Sequence, residues 1–240
     1  MDFLAQHLAP FQITHRNVMD LLDQAAQRFV LPRHGALGDA DIQEKSSPTD
    51  LVTIADIEAE AWLSVQLQAL LPQSLILGEE AQSRDPELMK VVKTAQILWI
   101  LDPVDGTNNF ARGSLKFCMM LALCVHGEPL ASWILAPLQN KIYCAQQGLG
   151  AYSFDYKADA SSQEQRFTNQ CRLKSLPSKD YKGFISVKYF PQEQRERLKG
   201  NYLAAIRQNQ TYGCAGIEYA SIASTAIGLI LPYSSQIVPL

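Results

Sequence analysis

The 240-residue chain has no cluster of lysine and arginine, no apolar run near the roughly 18 residues of a membrane helix, and no CxxC pair. Each absence removes a class of function. With 21 basic against 24 acidic side chains, a net charge of −3 and the basic residues scattered, nothing marks the chain for nucleic acid or an anionic membrane. Five cysteines (Cys118, Cys124, Cys144, Cys171 and Cys214) at irregular spacing suit a reducing cytosol, with most acting as small core residues. Four isolated histidines give no support to a zinc site built from His and Cys. The opening MDFLAQHLAPFQITHRN lacks a basic segment ahead of an apolar core, so no secretory signal is expected and the expected location is cytoplasmic.

What remains is an ordinary globular composition, 47% hydrophobic and 19% charged, long enough for a sizeable core. Val18, Leu21, Leu22, Ala25 and Phe29 predict a helix over the first 30 residues, closed by Pro32. A turn-rich connector over 35–48 precedes a second predicted helix, Thr53 to Leu71, with Ile57, Ala61 and Val65 on one face. Strands follow at 74–80 and 95–101, the second stopped by Asp102-Pro103, then at 117–125, 130–137 and 141–146, with a hairpin turn at His126-Gly127-Glu128. GLGAY (148–152) ends this half, and polar residues 155–170 read as an exposed loop or hinge. A strand at 183–188 and helices at 192–207 and 216–228 complete an α+β body of two lobes, 1–154 and 155–240.

The chemistry concentrates where apolar strands end. SLILGEE ends in Glu79 and Glu80, and WILDPVDGT places Asp102 and Asp105 on a turn that Pro103 stiffens. Asp-Pro and Asp-Gly are each ordinary turn dipeptides, and a Glu-Glu pair is ordinarily a solvated face. Their combination, with each member terminating an apolar strand within about 30 residues, points instead to a site for a hard divalent cation. If the two strands lie side by side, Glu79, Asp102 and Asp105 converge. Gly106 and Thr107 then offer backbone N–H groups for a phosphate oxygen and a hydroxyl to orient water. These are the components of metal-assisted phosphate ester hydrolysis.

GEE followed by WILDPVDGTNNF, with KSSPTDLVTIADIEAE upstream in the form K-x-x-x-x-D-L-V-T-x-x-D, resembles the inositol monophosphatase family of Mg²⁺-dependent phosphatases. The likeness runs from Lys45 to Tyr152, and more loosely to the end. It implies a layered α-β-α-β-α sandwich, a homodimer, two or three Mg²⁺ ions in an intact site, and hydrolysis of inositol monophosphate or a similar small sugar or polyol phosphate. Glu79, Asp102, Asp105 and the Val104 carbonyl would ligate metal, and Thr107, bonded to Asp56, would activate water. Lys45 would lie at the site's edge, Gly106 and Thr107 against the phosphate, and Gly213, Cys214 and Ala215 on the sugar side. By their own positions, Asp56 is an acid in the first turn of a helix and Lys45 a solvated loop charge.

A haloacid-dehalogenase-type D-x-D-G-T motif would put one residue between the aspartates; here there are two, and the upstream GEE has no counterpart in that class. The family's C-terminal W-D-x-A-A-G segment is not found before the chain ends at SSQIVPL, so the second lobe is expected to be truncated. A second metal would then lack a ligand, and apolar surface near IASTAIGLILPY would be exposed. The alternative expectation is a catalytically impaired member that binds metal and phosphate or serves as a partner subunit.

Overall fold

A computed structural model describes residues 8, 11–47, 50–173, 182–184, 191–194, 196, 208–209, 211–224 and 229–230. Helix α1 spans His15–Ala25 and continues through a π-helical turn (Ala26–Val30) and a 3-10 turn (Leu31–Arg33) that contains Pro32. It begins at His15 because Thr14 caps it: the Thr14 hydroxyl accepts the Asn17 N–H at 3.2 Å, and Asn17 Oδ1 accepts the Thr14 N–H at 2.8 Å. The rest of the expected N-terminal helix is bent and irregular over 11–13 or falls outside the described residues.

The connector expected over 35–48 holds β1 (Ile42–Ser47), which pairs antiparallel with β2 (Asp50–Thr53). A two-stranded ribbon has no apolar face to bury on both sides, which is why its polar sequence reads as loop. Helix α2 (Ile54–Leu70) matches the expected span, but its buried face is Ala55, Ala59, Leu63 and Leu67. Val65, expected inward, is 65% exposed. The small alanines let the helix lie close to the sheet.

The rest runs β3 (Leu75–Gly78), α3 (Glu79–Arg84), α4 (Val91–Thr94), β4 (Ile97–Asp105) and α5 (Thr107–Ala111). Then come β5 (Cys118–Val125), β6 (Glu128–Ala136), β7 (Lys141–Gln146), β8 (Gly150–Tyr156), α6 (Gln163–Arg166) and β9 (Phe167–Arg172). Strands β10 (Lys182–Phe184) and β11 (Gln208–Asn209), helix α7 (Ala215–Ser224) and β12 (Leu229–Ile230) follow. Most of the strand expected at 183–188, the helix at 192–207 and the end of that at 216–228 lie outside the described residues, as does SSQIVPL.

One seven-stranded sheet in the order β3-β4-β5-β6-β7-β8-β9 carries the core; β3 and β4 are parallel and the other neighbours antiparallel. The segment 155–170, expected as loop, supplies the end of β8 and the start of β9, held by Phe167 buried beneath a polar surface. Helices α1 and α2 cover one face, where Trp99, Leu101, Leu121, Trp133, Leu135 and Phe154 are buried. Helix α7 lies on the other face against β5 and β6; a Cβ on Gly216 would stand 2.4 Å from Cys118 Sγ, so the helix can approach only with glycine there. A smaller parallel sheet orders β11-β10-β12. The architecture is an α+β sandwich. No helix among the described residues is long and apolar enough to cross a membrane.

Candidate active site

Strand β4 does not stop at Asp102-Pro103. It continues to Asp105 through a bulge in which Asp102 pairs with Met120 and Asp105 with Cys118, three steps against two. Proline, lacking an N–H, is tolerated at such an irregularity, and the Val104 N–H turns to Asp102 Oδ1 at 3.1 Å. Glu79 and Glu80, expected to end a strand, open α3 instead, in the first turn where a helix favours acids. Parallel pairing of Gly78 with Leu101 brings Glu79 alongside Asp102.

Three acids therefore meet at the C-terminal end of the β3–β4 pair. Burial pushes the Asp102 carboxyl well above the usual carboxylate range; the facing charges of Glu79 and Asp105 and a hydrogen bond to Glu79 push it further. Asp105 is also raised by burial, although Gly216, Cys214, Ala215 and Cys118 all hydrogen-bond to it. Its Oδ2 accepts the Gly216 N–H at 2.6 Å, with Cys214 Sγ at 3.1 Å and Cys118 Sγ at 3.6 Å. Lys45, on β1, is the cation that answers this group, with Nζ 2.7 Å from Glu80 and 3.0 Å from Glu79. Burial pulls its amine down, and the two carboxylates more than reverse that. Burial lifts Glu80 to about 7 in spite of Lys45.

Asp56 is fully buried in the first turn of α2. Its Oδ2 caps the helix by accepting the Thr53 N–H at 2.9 Å and the Thr53 hydroxyl at 2.5 Å. Burial brings its carboxyl up to about 6 against the pull of those bonds. Thr107, at the start of α5, has Oγ1 3.0 Å from the Val104 carbonyl and 3.3 Å from Asp56 Oδ1. Gly106 before it has φ of +87°, and a Cβ there would meet Cys214 Cβ and the Lys116 carbonyl, both at 3.1 Å. Gly213, Cys214 and Ala215 lead into α7 immediately beside Asp105 and Gly106. Of the residues singled out in the sequence, all are thus drawn into one neighbourhood.

Two residues that hold the neighbourhood together were not singled out. Glu60, one turn after Asp56 on α2, accepts the Glu80 N–H at 2.7 Å and the Ala81 N–H at 2.8 Å, tying α3 in place. Asn109 donates Nδ2 to the carbonyls of Lys116 and Tyr212, each at 2.8 Å, and joins α5 to the turn before α7. The four-residue spacing of Asp56 and Glu60 on a helix was the available signal for the first; nothing local marks the second. Glu218, the last acid of the sequence, accepts the Tyr212 N–H at 2.6 Å and the Thr211 hydroxyl at 2.9 Å, bracing the turn before α7.

Residues 16–235 match the model of the inositol monophosphatase family. The chain belongs to that family. Over 206 residues it is 27% identical to inositol-1-monophosphatase of Bacillus subtilis, covering 85% of this chain and 70% of that protein. It is 29% identical over 147 residues to the Nus factor SuhB of Vibrio cholerae, covering 61% of this chain and 47% of that protein. Among solved structures, a Ca-bound family protein from Staphylococcus aureus superimposes with a TM-score of 0.66 at 22% identity, over 93% of this chain and 74% of that one. Several of the curated relatives are named inositol monophosphatases, and the chain spans 41% of the one from Mycobacterium leprae and 50% of the one from Rattus norvegicus.

Proposed function

We propose that this protein is a Mg²⁺-dependent phosphomonoesterase acting on inositol monophosphate or a similar small sugar or polyol phosphate. The observation that carries the reading is the convergence of Glu79, Asp102 and Asp105 at the ends of two parallel strands, beside the Thr107–Asp56 pair. Mutually repelling carboxylates with oxygen donors fit a hard divalent cation. Glu79, Asp102, Asp105 and the Val104 carbonyl would hold it. Bound there, Mg²⁺ supplies charge that offsets the phosphate's own and makes water a better nucleophile.

The chain's own groups do the positioning. Thr107 donates a hydrogen bond from its hydroxyl to Asp56 Oδ1 or the Val104 carbonyl, which leaves Oγ1 an acceptor for a hydrogen of the attacking water. Gly106 and Thr107 turn backbone N–H groups toward the phosphate, and Lys45 keeps Glu79 and Glu80 from swinging away. The residues 213–215 face the polyol. Five cysteines outside disulfides suit the cytoplasm, and the family likeness suggests a homodimer, which sedimentation would test.

Phosphate release from a panel of inositol, sugar and nucleotide monophosphates, with and without Mg²⁺, tests the reading. Mg²⁺-dependent release that disappears in Asp105→Asn is expected; release that ignores both Mg²⁺ and the substitution would sink it. A second reading, a partner subunit without turnover, is favoured by the likeness to a relative named as a Nus factor. A folded, Mg²⁺-binding chain that hydrolyses nothing in the panel would support that one.

A further inference from the structure

We propose that Asp105, Cys118 and Cys214 form a second cation site, one selective for a thiophilic divalent ion such as Zn²⁺. The three donor atoms belong to different elements: Asp105 ends β4, Cys118 opens β5, and Cys214 precedes α7. Cys118 Sγ and Cys214 Sγ are 3.6 Å apart, and each faces Asp105 Oδ2, at 3.6 and 3.1 Å. Zinc binds thiolate sulfur at about 2.3 Å and carboxylate oxygen at about 2.0–2.2 Å, so ligands at a tetrahedral angle stand about 3.4–3.8 Å from one another. The observed triangle is that of three corners of such a tetrahedron, with the short side closing a few tenths of an ångström because an S–H now bridges it.

Charge favours the exchange. Both thiols are buried, Cys118 completely and Cys214 to within 1%, and an added charge there would be opposed by desolvation. Replacing two S–H protons by one divalent ion adds none: two S–H bonds break, two metal–sulfur bonds form, and two protons leave for solvent. The ion also needs no new carboxylate geometry, because Oδ2 is already fixed by the Gly216 N–H at 2.6 Å. Soft thiolates discriminate against Mg²⁺, which keeps to oxygen. The site is therefore chemically distinct from the oxygen-lined one and shares a single residue with it, and it holds whether or not the chain hydrolyses phosphate esters. An ion there would bind α7 to the sheet and draw on the same carboxylate as Mg²⁺.

Titration of the reduced full-length chain with Co²⁺, in excess Mg²⁺, provides the test. Expected is a sulfur-to-cobalt charge-transfer absorption that saturates at one ion per chain, releases two protons per ion, and is bleached by Zn²⁺. Cys118→Ala and Cys214→Ala should each abolish it, with circular dichroism confirming the fold, whereas Cys171→Ala, at an exposed position outside the cluster, should keep it. X-ray absorption of the Zn²⁺-loaded wild type, independent of any variant, should show two sulfur neighbours. A wild type with no such absorption, absorption surviving both substitutions, or a zinc shell of nitrogen and oxygen alone would overturn the proposal.

Discussion

Two groups of acids among the described residues are treated in opposite ways. Beneath β8 and β9, Asp23 of α1 accepts the Tyr156 hydroxyl at 2.7 Å and Arg166 Nη1 at 3.1 Å, and Arg166 is held in turn by the carbonyls of Ala158 and Ala160. Each charge has its answer, so the group works as a clasp between helix and sheet. At the ends of β3 and β4, Asp102 has Glu79 and Asp105 facing it, and Lys45 engages Glu79 and Glu80 rather than the aspartates. On the proposed function, the fold tolerates the second arrangement because a cation and its phosphate would complete it.

Substitutions should separate the two. Asp102→Asn should lower Mg²⁺-dependent phosphate release by about two orders of magnitude or more while raising the melting temperature of the cation-free protein, since one of three repelling charges is gone. Enzyme assay and calorimetry on the same preparation check both halves. Asp23→Ala should do the reverse: a loss of roughly 3–5 kcal/mol in urea unfolding, from stranding Arg166 and the Tyr156 hydroxyl, with Mg²⁺ affinity untouched.

Gly78→Ala joins the two behaviours. A Cβ at that position would fall 2.3 Å from the Glu60 carboxyl carbon, so Glu60 must give up its grip on α3. We expect about 1–3 kcal/mol of destabilisation and weaker Mg²⁺ binding, because Glu79 moves with that helix; urea unfolding and a Mg²⁺ titration read them separately. The smallest effect is at Asp20, on α1 near the clasp but outside it. Burial raises its carboxyl to about 6 from 3.8, with Arg16 opposing and Asp23 adding to the shift. A folded pKa above the unfolded one means that the folded state holds the proton more tightly between those values, so stability falls as pH rises from about 4 through 6. Asp20→Asn should accordingly melt higher than wild type at pH 7.5 and alike at pH 4, by less than about 1 kcal/mol once solvent screening of a half-buried carboxylate is allowed for.

The parts of the fold legible in the sequence are those that local chemistry decides. The hairpin at His126 and Gly127 takes positive φ at both residues, 50° and 82°, as a two-residue turn requires. The GEE and DPVDGT motifs reach the same end of a sheet, because β3 and β4 pair in parallel and Gly78 stands opposite Leu101. What was not legible depends on partners distant in sequence. Helix α2 shows its alanines to the sheet, so a count of large apolar residues selects the wrong face. Pro103 sits inside a strand because the bulge opposite Met120 and Cys118 leaves its missing N–H unneeded. Cys118 and Cys214 read as ordinary core residues until the sheet and α7 bring them together across 96 positions.

The most direct measurement is Mg²⁺ binding by isothermal titration calorimetry, wild type beside Asp102→Asn. Saturable binding in the wild type that is lost in a folded variant is the expected result. Equal binding in both, or none in either, would contradict the assignment of the β3–β4 acids as a cation site.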